Sequence, residues 1–249
     1  MAEPRGIKEF ISWKPEPLTP YIEKGLLYKQ TKMLVYGKYK SMKSMLIQHL
    51  GLCLAKGEPW LGIQVHGPGL KVLYLQLEIP EKLLHRRLLK MLGGELETKQ
   101  DILFWTEHVL KLDTNDGMRV LENWLKVHKP DVLIIDPLYK VLSVNMSDNH
   151  AINHVLDELD RIIEEYGVSI VLVTHSRKPG ANEGETWGTD NMLGGVLLSA
   201  WGDSVLEVTR DNDALRVSMD VVRHAEDELQ PVVVNVSAGL QFSIKDVKI

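Results

Sequence analysis

Segment 33–50 contains the residues whose types and spacing are best suited to chemistry on a nucleotide phosphate. Matched to the phosphate-loop pattern G-x-x-x-x-G-K-[ST], Gly37 takes the first position, Lys43 the lysine and Ser44 the hydroxyl. In such a loop the backbone N–H groups and the helix N-terminus face the phosphate, while the lysine supplies charge and the hydroxyl ligates Mg²⁺. The predicted cofactor-binding residues are Gly37, Lys38, Tyr39, Lys40, Ser41, Met42, Lys43, Ser44 and Met45.

One position departs from this pattern, because Met42 stands where the template has its second glycine. The backbone conformation that glycine usually provides there must be reached by a residue with a Cβ atom. The alternative interpretation is a strand, a turn and a helix with lysines on a solvated turn. The motif alone leaves both interpretations open.

Three polar side chains at the ends of predicted strands extend the candidate site: Glu78, Asp136 and His175. Open α/β sheets bind ligands at the carboxyl ends of their strands, so these residues are expected to lie near the loop. Asp136 suits a Mg²⁺ ligand, Glu78 a base that activates water, and His175 a sensor of the γ-phosphate. Each has a structural alternative: Asp136 can begin a turn, Glu78 can cap a helix, and His175 can be an ordinary core histidine. The predicted metal ligands are Ser44 and Asp136.

Short apolar runs that alternate with helical patterns must position these residues. The runs predict strands at residues 33–36, 71–77, 102–105, 132–136 and 169–174. Helical patterns between them predict an α/β fold with a mostly parallel central sheet, flanking helices and right-handed crossovers. Later runs at residues 203–208, 215–222, 231–236 and 240–244 predict a C-terminal antiparallel β extension.

Length and composition favour a single domain over residues 1–249. The chain is 44% hydrophobic, which is enough to bury a large core, and residues 1–20 contain four prolines that suit an extended N-terminal arm. The formal net charge of −5 argues against a broadly basic nucleic-acid surface, so any such contact must be local.

The compartment is predicted from cysteine usage and from apolar runs. The single cysteine, Cys53, excludes a disulfide framework and a cysteine zinc cluster. No apolar run approaches the ~20 residues that a membrane span needs, and the N-terminus lacks a long apolar signal segment. We therefore expect a cytoplasmic protein without membrane contacts.

Five segments carry the candidate residues in a fixed order: GKYKSMKS, LYLQLE, DVLIIDPLYKVLS, IVLVTHSRKPG and GTDNMLGGVLLSAWGDSVLEV. In this order they resemble the RecA-like P-loop ATPases, and most closely the RepA-like or phage-type group related to DnaB-type hexameric helicases. The resemblance runs from about residue 20 to the C-terminus. It implies ATP and Mg²⁺ as cofactors. It also implies that Glu78 is the catalytic carboxylate, Asp136 the second acidic motif and His175 the sensor.

The resemblance further implies that catalysis is completed by an arginine from a neighbouring subunit. Arg223 occupies the expected place on a late strand, although the lysine often found two residues earlier is replaced by Val221. Arg210 is the competing candidate. The alternative is that either arginine lies on the surface of a hairpin and has no catalytic role.

The loops after the strands that end at Asp136 and His175 match the places where this family contacts single-stranded DNA. The second loop contains Arg177, Lys178 and Trp187, which provide two cations and an aromatic ring able to stack on a base. Acidic residues in the same loop weaken the assignment. A lid over the nucleotide is the alternative.

Three functions remain compatible with the sequence. The first is a replicative helicase or DNA translocase that hydrolyses ATP as a homo-oligomeric ring, predicted to be a hexamer, on single-stranded DNA. The second is an ATP-binding regulatory or recombination-accessory subunit that hydrolyses weakly and acts through other replication or recombination proteins. A small-molecule kinase ranks last, because no residues indicate an acceptor pocket.

Overall fold

The computed structural model describes residues 4–94, 101–146, 148–177, 188–211 and 214–245, and a nine-stranded sheet forms its centre. Two short strands, β1 (Pro20–Ile22) and β2 (Leu27–Tyr28), pair with each other outside this sheet. The sheet contains β3 (Lys32–Tyr36), β4 (Val72–Gln76), β5 (Ile102–Trp105), β6 (Val132–Asp136), β7 (Ser169–Val173), β8 (Ser204–Asp211), β9 (Ala214–Val222), β10 (Val232–Val236) and β11 (Phe242–Ile244).

The strand order is β11-β10-β9-β8-β3-β7-β6-β4-β5. The six strands from β8 to β5 are all parallel, whereas β9, β10 and β11 are antiparallel. The predicted parallel core with a C-terminal antiparallel extension is therefore confirmed. The parallel part reaches one strand further than the first 175 residues, because β8 pairs in parallel with β3.

Helices cover both faces of the sheet. They are α1 (Ile7–Ser12), α2 (Lys43–Lys56), α3 (Glu81–Met91), α4 (Asn115–His128), α5 (Asn149–Tyr166) and α6 (Gly195–Trp201), with short 3₁₀ helices at Leu138–Val141 and Gly188–Asn191. One face packs against α4, α5 and α6, and the other packs against α2 and the β1–β2 hairpin. Among the described residues, no helix is both long and apolar enough to cross a membrane.

This two-sided cover explains the apolar composition of the central strands. Every residue of β4, β6 and β7 is buried. Strands that face helices on both sides lose the alternation of polar and apolar residues that a half-exposed strand shows. The polar ends of these strands, which carry the candidate site residues, therefore lie at one edge of a rigid sheet.

The N-terminal arm differs from the extended conformation expected of residues 1–20. Residues Ile7–Ser12 form α1, and none of its residues is buried; Phe10, for example, is 57% exposed. The prolines explain the location of this helix, since Pro4 and Pro15 flank it and none interrupts it.

Candidate active site

The loop between β3 and α2 requires glycine at its first position. A Cβ atom on Gly37 would lie 2.2 Å from the carbonyl oxygen of Val208 on β8. The loop therefore passes so close to the neighbouring strand that no side chain fits. This close approach supports the match of Gly37 to the phosphate-loop pattern.

Met42 adopts the left-handed conformation that the template assigns to glycine. Its φ and ψ are 66° and 16°, and Lys40 in the same loop also has a φ of 65°. A residue with a Cβ atom loses roughly 1–2 kcal/mol in this conformation. The Met42 side chain packs against the core on the α2 face of the sheet, which offsets part of that cost. The loop thus keeps the shape of the pattern at an energetic cost.

Met42 also begins α2 without a side-chain cap. The first backbone N–H groups of a helix have no partner within the helix. Such N–H groups, together with the helix dipole, form a favourable place for an anion.

Lys43 is 4% exposed and points back into the loop. Its ammonium group donates hydrogen bonds to the carbonyl oxygens of Gly37 at 2.8 Å and Lys38 at 2.9 Å. Burial lowers the pKa of Lys43 to about 8, although Asp136 and Glu78 act in the opposite direction. A phosphate that replaced the carbonyl partners would favour the charged form of this lysine.

Ser44 and Asp136 meet at the end of β6. The Ser44 hydroxyl donates to Asp136 Oδ1 at 3.0 Å, and the Tyr74 hydroxyl donates to Asp136 Oδ2 at 2.6 Å. Asp136 is 1% exposed, and burial raises its pKa to about 6 in spite of these hydrogen bonds. A buried carboxylate beside a hydroxyl is a donor set that fits a hard cation such as Mg²⁺.

Glu78 follows β4, which is hydrogen-bonded directly to β6. Its backbone N–H donates to the side-chain oxygen of Gln76 at 2.7 Å, and its carboxylate Oε1 accepts a hydrogen bond from the Tyr139 hydroxyl at 3.0 Å. Glu78 also contributes to the electrostatic environment of Lys43. The structure thus brings the predicted base to the same edge of the sheet as the loop.

His175 completes this edge. Its Nδ1 lies 3.4 Å from the Lys43 ammonium nitrogen, and its ring contacts the rings of Tyr39 and Tyr139, with centroid distances of 6.2 Å and 5.4 Å. Burial, followed by the charge of Lys43, lowers the pKa of His175. A neutral imidazole in this position can accept a hydrogen bond from the lysine or from a bound ligand.

A cleft of about 790 Å³ opens beside His175. Its lining includes Tyr39, Tyr139, Met146 and Leu193, together with the cationic Lys38 and Arg177. Arg177 thus lies where the predicted DNA-contacting loop begins. Lys178 and Trp187 lie outside the described residues. A larger cavity, of about 1020 Å³, lies between the β1–β2 hairpin and the segment after β9, away from these residues.

Arg223 does not join this site within one chain. It follows β9, and its backbone N–H donates to the carbonyl oxygen of Asp203, which precedes β8. It therefore lies at the amino end of the parallel strands, whereas Lys43 follows their carboxyl end. Arg210, near the other end of β8, lies at the same edge as the loop.

Sequence reasoning missed Tyr74, Gln76 and Tyr139, whose side chains contact the predicted acidic residues. The available signal was weak. Tyr74 and Gln76 are polar-tipped residues within an otherwise apolar strand, and Tyr139 comes three residues after Asp136. Their contacts depend on β4 lying beside β6, which the sequence does not specify.

The fold and the phosphate loop are those of a RecA-like P-loop ATPase. Residues 6–181 match the family model described as AAA domain, so the chain belongs to that family. A comparison with curated protein sequences gives no significant match. The family resemblance and the fold class expected from the sequence are both confirmed.

Two solved structures are similar to this chain in fold. A KaiC-like protein from the hyperthermophilic archaeon Pyrococcus horikoshii OT3 has a TM-score of 0.62 and 16% identity, covering 90% of this chain and 93% of its own. A DnaB-like replicative helicase, whose structure was described with its interactions with primase, has a TM-score of 0.68 and 11% identity. The match covers 87% of this chain but only 58% of the helicase chain.

Proposed function

We propose that this protein is a Mg²⁺-dependent ATPase that assembles into a ring, predicted to be a hexamer, and couples hydrolysis to movement along single-stranded DNA. The observation that carries the proposal is the meeting of Lys43, Ser44 and Asp136 at one edge of the sheet. These residues come from segments 92 positions apart in the chain, yet Ser44 and Asp136 lie within hydrogen-bond distance.

Each residue would have a distinct role when MgATP binds. Lys43 would exchange its carbonyl partners for phosphate oxygens, and Ser44 and Asp136 would hold the metal ion. A bound Mg²⁺ neutralises charge on the β- and γ-phosphates. Glu78 would accept a proton from the attacking water, and His175 would contact the γ-phosphate from the other side of Lys43.

Ring assembly is proposed because of the place of Arg223. An arginine that completes phosphoryl transfer must reach the developing charge on the γ-phosphate. The five residues of β3 separate the two edges of the sheet by about 15 Å. Arg223 could therefore act only on a nucleotide held by another copy of the chain, which a head-to-tail ring provides.

The cleft beside His175 supports single-stranded DNA as the partner. Aromatic rings that accept stacked bases and cations that accept phosphates are the features that bind a strand without reading its sequence. Tyr39 and Tyr139 supply rings, and Lys38 and Arg177 supply charge. The similar DnaB-like protein is a replicative helicase, which makes DNA translocation the first activity to test.

The test combines assembly, hydrolysis and strand separation. We expect a native mass several times the 28.2 kDa of one chain, hydrolysis that single-stranded DNA stimulates, and unwinding of forked DNA. A chain that stays monomeric with MgATP and DNA present would contradict the ring. Hydrolysis that DNA does not change would contradict the motor.

A second function is favoured by one observation. Met42 takes a left-handed conformation in the phosphate loop, which costs roughly 1–2 kcal/mol more than it does for glycine. This cost favours an ATP-binding regulatory or recombination-accessory subunit that hydrolyses weakly and acts through replication or recombination proteins. Ring formation with MgATP but without separation of forked DNA would favour this accessory function.

A further inference from the structure

Tyr139 donates a hydrogen bond to Glu78, the proposed catalytic base. It lies in the 3₁₀ helix Leu138–Val141 that follows β6, and its hydroxyl is 3.0 Å from Glu78 Oε1. Within the part of the chain that the structure describes, no second side chain forms a hydrogen bond to this carboxylate. The orientation of Glu78 therefore depends on Tyr139.

The ring of the same side chain forms part of the cleft wall. The Tyr139 ring is tilted by 51° against the ring of His175, with their centroids 5.4 Å apart, and the Lys140 ammonium lies 5.3 Å from the Tyr139 ring centroid. An aromatic face with a cation and a second ring beside it suits a stacked base. The Tyr139 side chain thus contacts Glu78 through its hydroxyl and lines the cleft with its ring.

The hydroxyl is suited to act as a permanent donor. Burial and the adjacent Glu78 raise the pKa of Tyr139 to about 12, so the phenol keeps its proton at neutral pH. A hydrogen bond to a charged acceptor is stronger than one between neutral groups. Because the bond occupies Oε1, the second oxygen of Glu78 remains available for a water molecule.

We propose that Tyr139 is a positioning residue for Glu78, and that a base of single-stranded DNA stacked in the cleft increases ATP hydrolysis through it. The inference rests on the proposed DNA-dependent function. A DNA base packed against the Tyr139 ring would restrict the motion of the ring. It would therefore also restrict the Tyr139 hydroxyl. The Glu78 carboxylate would then sample fewer orientations, which favours the reactive one.

The positioning role is tested without DNA by Tyr139→Phe, which removes the hydroxyl and keeps the ring. We expect kcat to fall about tenfold, because a hydrogen bond to a charged group is lost, while KM for ATP is unchanged. Tyr166→Phe is the control, since Tyr166 lies at the end of α5 near the opposite edge of the sheet. An unchanged kcat in Tyr139→Phe would overturn the role.

A double-mutant cycle shows whether Tyr139 acts through Glu78. In a Glu78→Gln protein, adding Tyr139→Phe should cause no further loss, because the carboxylate that the hydroxyl orients is already absent. If the reductions in kcat of the two single variants multiply in the double variant, Tyr139 does not act through Glu78. This outcome would overturn the inference even if Tyr139→Phe alone reduced kcat.

The coupling to DNA is tested with a thymidine oligonucleotide of about 20 residues. Tyr139→Phe should bind it with the parent affinity, because the ring remains, but its hydrolysis should be stimulated about tenfold less. Tyr139→Leu should lose affinity as well. Equal stimulation of the parent and Tyr139→Phe would overturn the coupling and leave the DNA-dependent function intact.

Failure of the proposed function would look different. A parent protein that neither binds the oligonucleotide nor responds to it would contradict both the motor and the DNA part of this inference. The kcat measurements on Tyr139→Phe and Tyr166→Phe would still decide whether Tyr139 positions Glu78.

Discussion

The two edges of the parallel sheet differ in the burial of their charged side chains. At the carboxyl edge Lys43 and Asp136 are buried; Lys43 donates hydrogen bonds to carbonyl oxygens of its own loop, and Asp136 accepts them from Ser44 and Tyr74. At the amino edge Arg223 is exposed, and its guanidinium donates to the carbonyl oxygen of Ala200. Burying charge is costly, so the buried charges among the described residues mark the carboxyl edge as the candidate functional site.

The pKa shifts at the carboxyl edge indicate what would relieve that cost. Burial lowers the pKa of Lys43 to about 8 and raises the pKa of Asp136 to about 6, so both charged forms are disfavoured. A triphosphate beside Lys43 and a divalent cation beside Asp136 would favour both charged forms. Arg223 at the amino edge is exposed and therefore has no such burial cost.

The strongest test of this contrast removes one lysine at each edge. Lys43→Ala should reduce ATP hydrolysis at least a hundredfold and weaken nucleotide binding, because the charge that faces the phosphates is lost. Lys71→Ala is the matched control, since Lys71 precedes β4 at the amino edge and its ammonium lies 3.6 Å from the Asp101 carboxylate. Steady-state hydrolysis and equilibrium ATP binding measure both variants. Parent-like hydrolysis by Lys43→Ala would refute the site.

Glu78→Gln separates chemistry from binding at the carboxyl edge. We expect kcat to fall by about a hundredfold or more, because the side chain that accepts the water proton is lost, while the Kd for ATP stays close to that of the parent. Glu81→Gln, an exposed residue at the start of α3, should change neither quantity. A parent-like kcat in Glu78→Gln would assign water activation to another residue.

Mixing two inactive variants tests whether Arg223 of one copy completes the nucleotide site at the carboxyl edge of another copy. Arg223→Ala should lower hydrolysis by about a hundredfold with little change in ATP binding. Mixed with Lys43→Ala, it should regain activity, because some interfaces then join an intact loop to an intact Arg223. Arg210→Ala is the competing variant, and rescue of that variant alone would transfer the role to Arg210.

Local patterns indicate which residues are candidates for the site, but not which side chains contact them. Lys43, Ser44 and Asp136 could be predicted because each stands at a fixed place in a strand and loop pattern. The contacts of Tyr74 and Tyr139 could not, because they require β4 to lie between β5 and β6, and the order of strands is decided by packing across the whole sheet.

The fold shows the same division between local and distant information. Alternating strands and helices predicted a parallel sheet, and the structure confirms it. The direction of β8 was not foreseen, since α6 has only seven residues and the segment before it shows little periodicity. That short helix returns the chain to the amino edge and so places Arg223 there.

The fall of Mg²⁺-dependent ATP affinity at low pH, here called the acidic limb, is a smaller effect that also tests the carboxyl edge. Because the pKa of Asp136 is raised to about 6, its carboxylate is ionised above this pH and becomes protonated below it. Mg²⁺-dependent ATP affinity should therefore fall up to about tenfold per pH unit below 6. Titrations with and without Mg²⁺ separate this effect from protonation of ATP itself. Asp136→Asn should abolish the limb, and a limb that persists in this variant would contradict the assignment.

Met42 is expected to give the smallest effect, and it tests whether the loop at the carboxyl edge is strained. Met42→Gly removes the cost of a left-handed residue but also the packing of its side chain, whereas Met42→Ala removes only the packing. The glycine variant should therefore bind ATP about fivefold more tightly than the alanine variant, which corresponds to ~1 kcal/mol. Isothermal titration of both variants measures the difference. Equal affinities would mean that the strain at Met42 does not change when ATP binds, and the argument for a weakly hydrolysing accessory subunit would lose its main support.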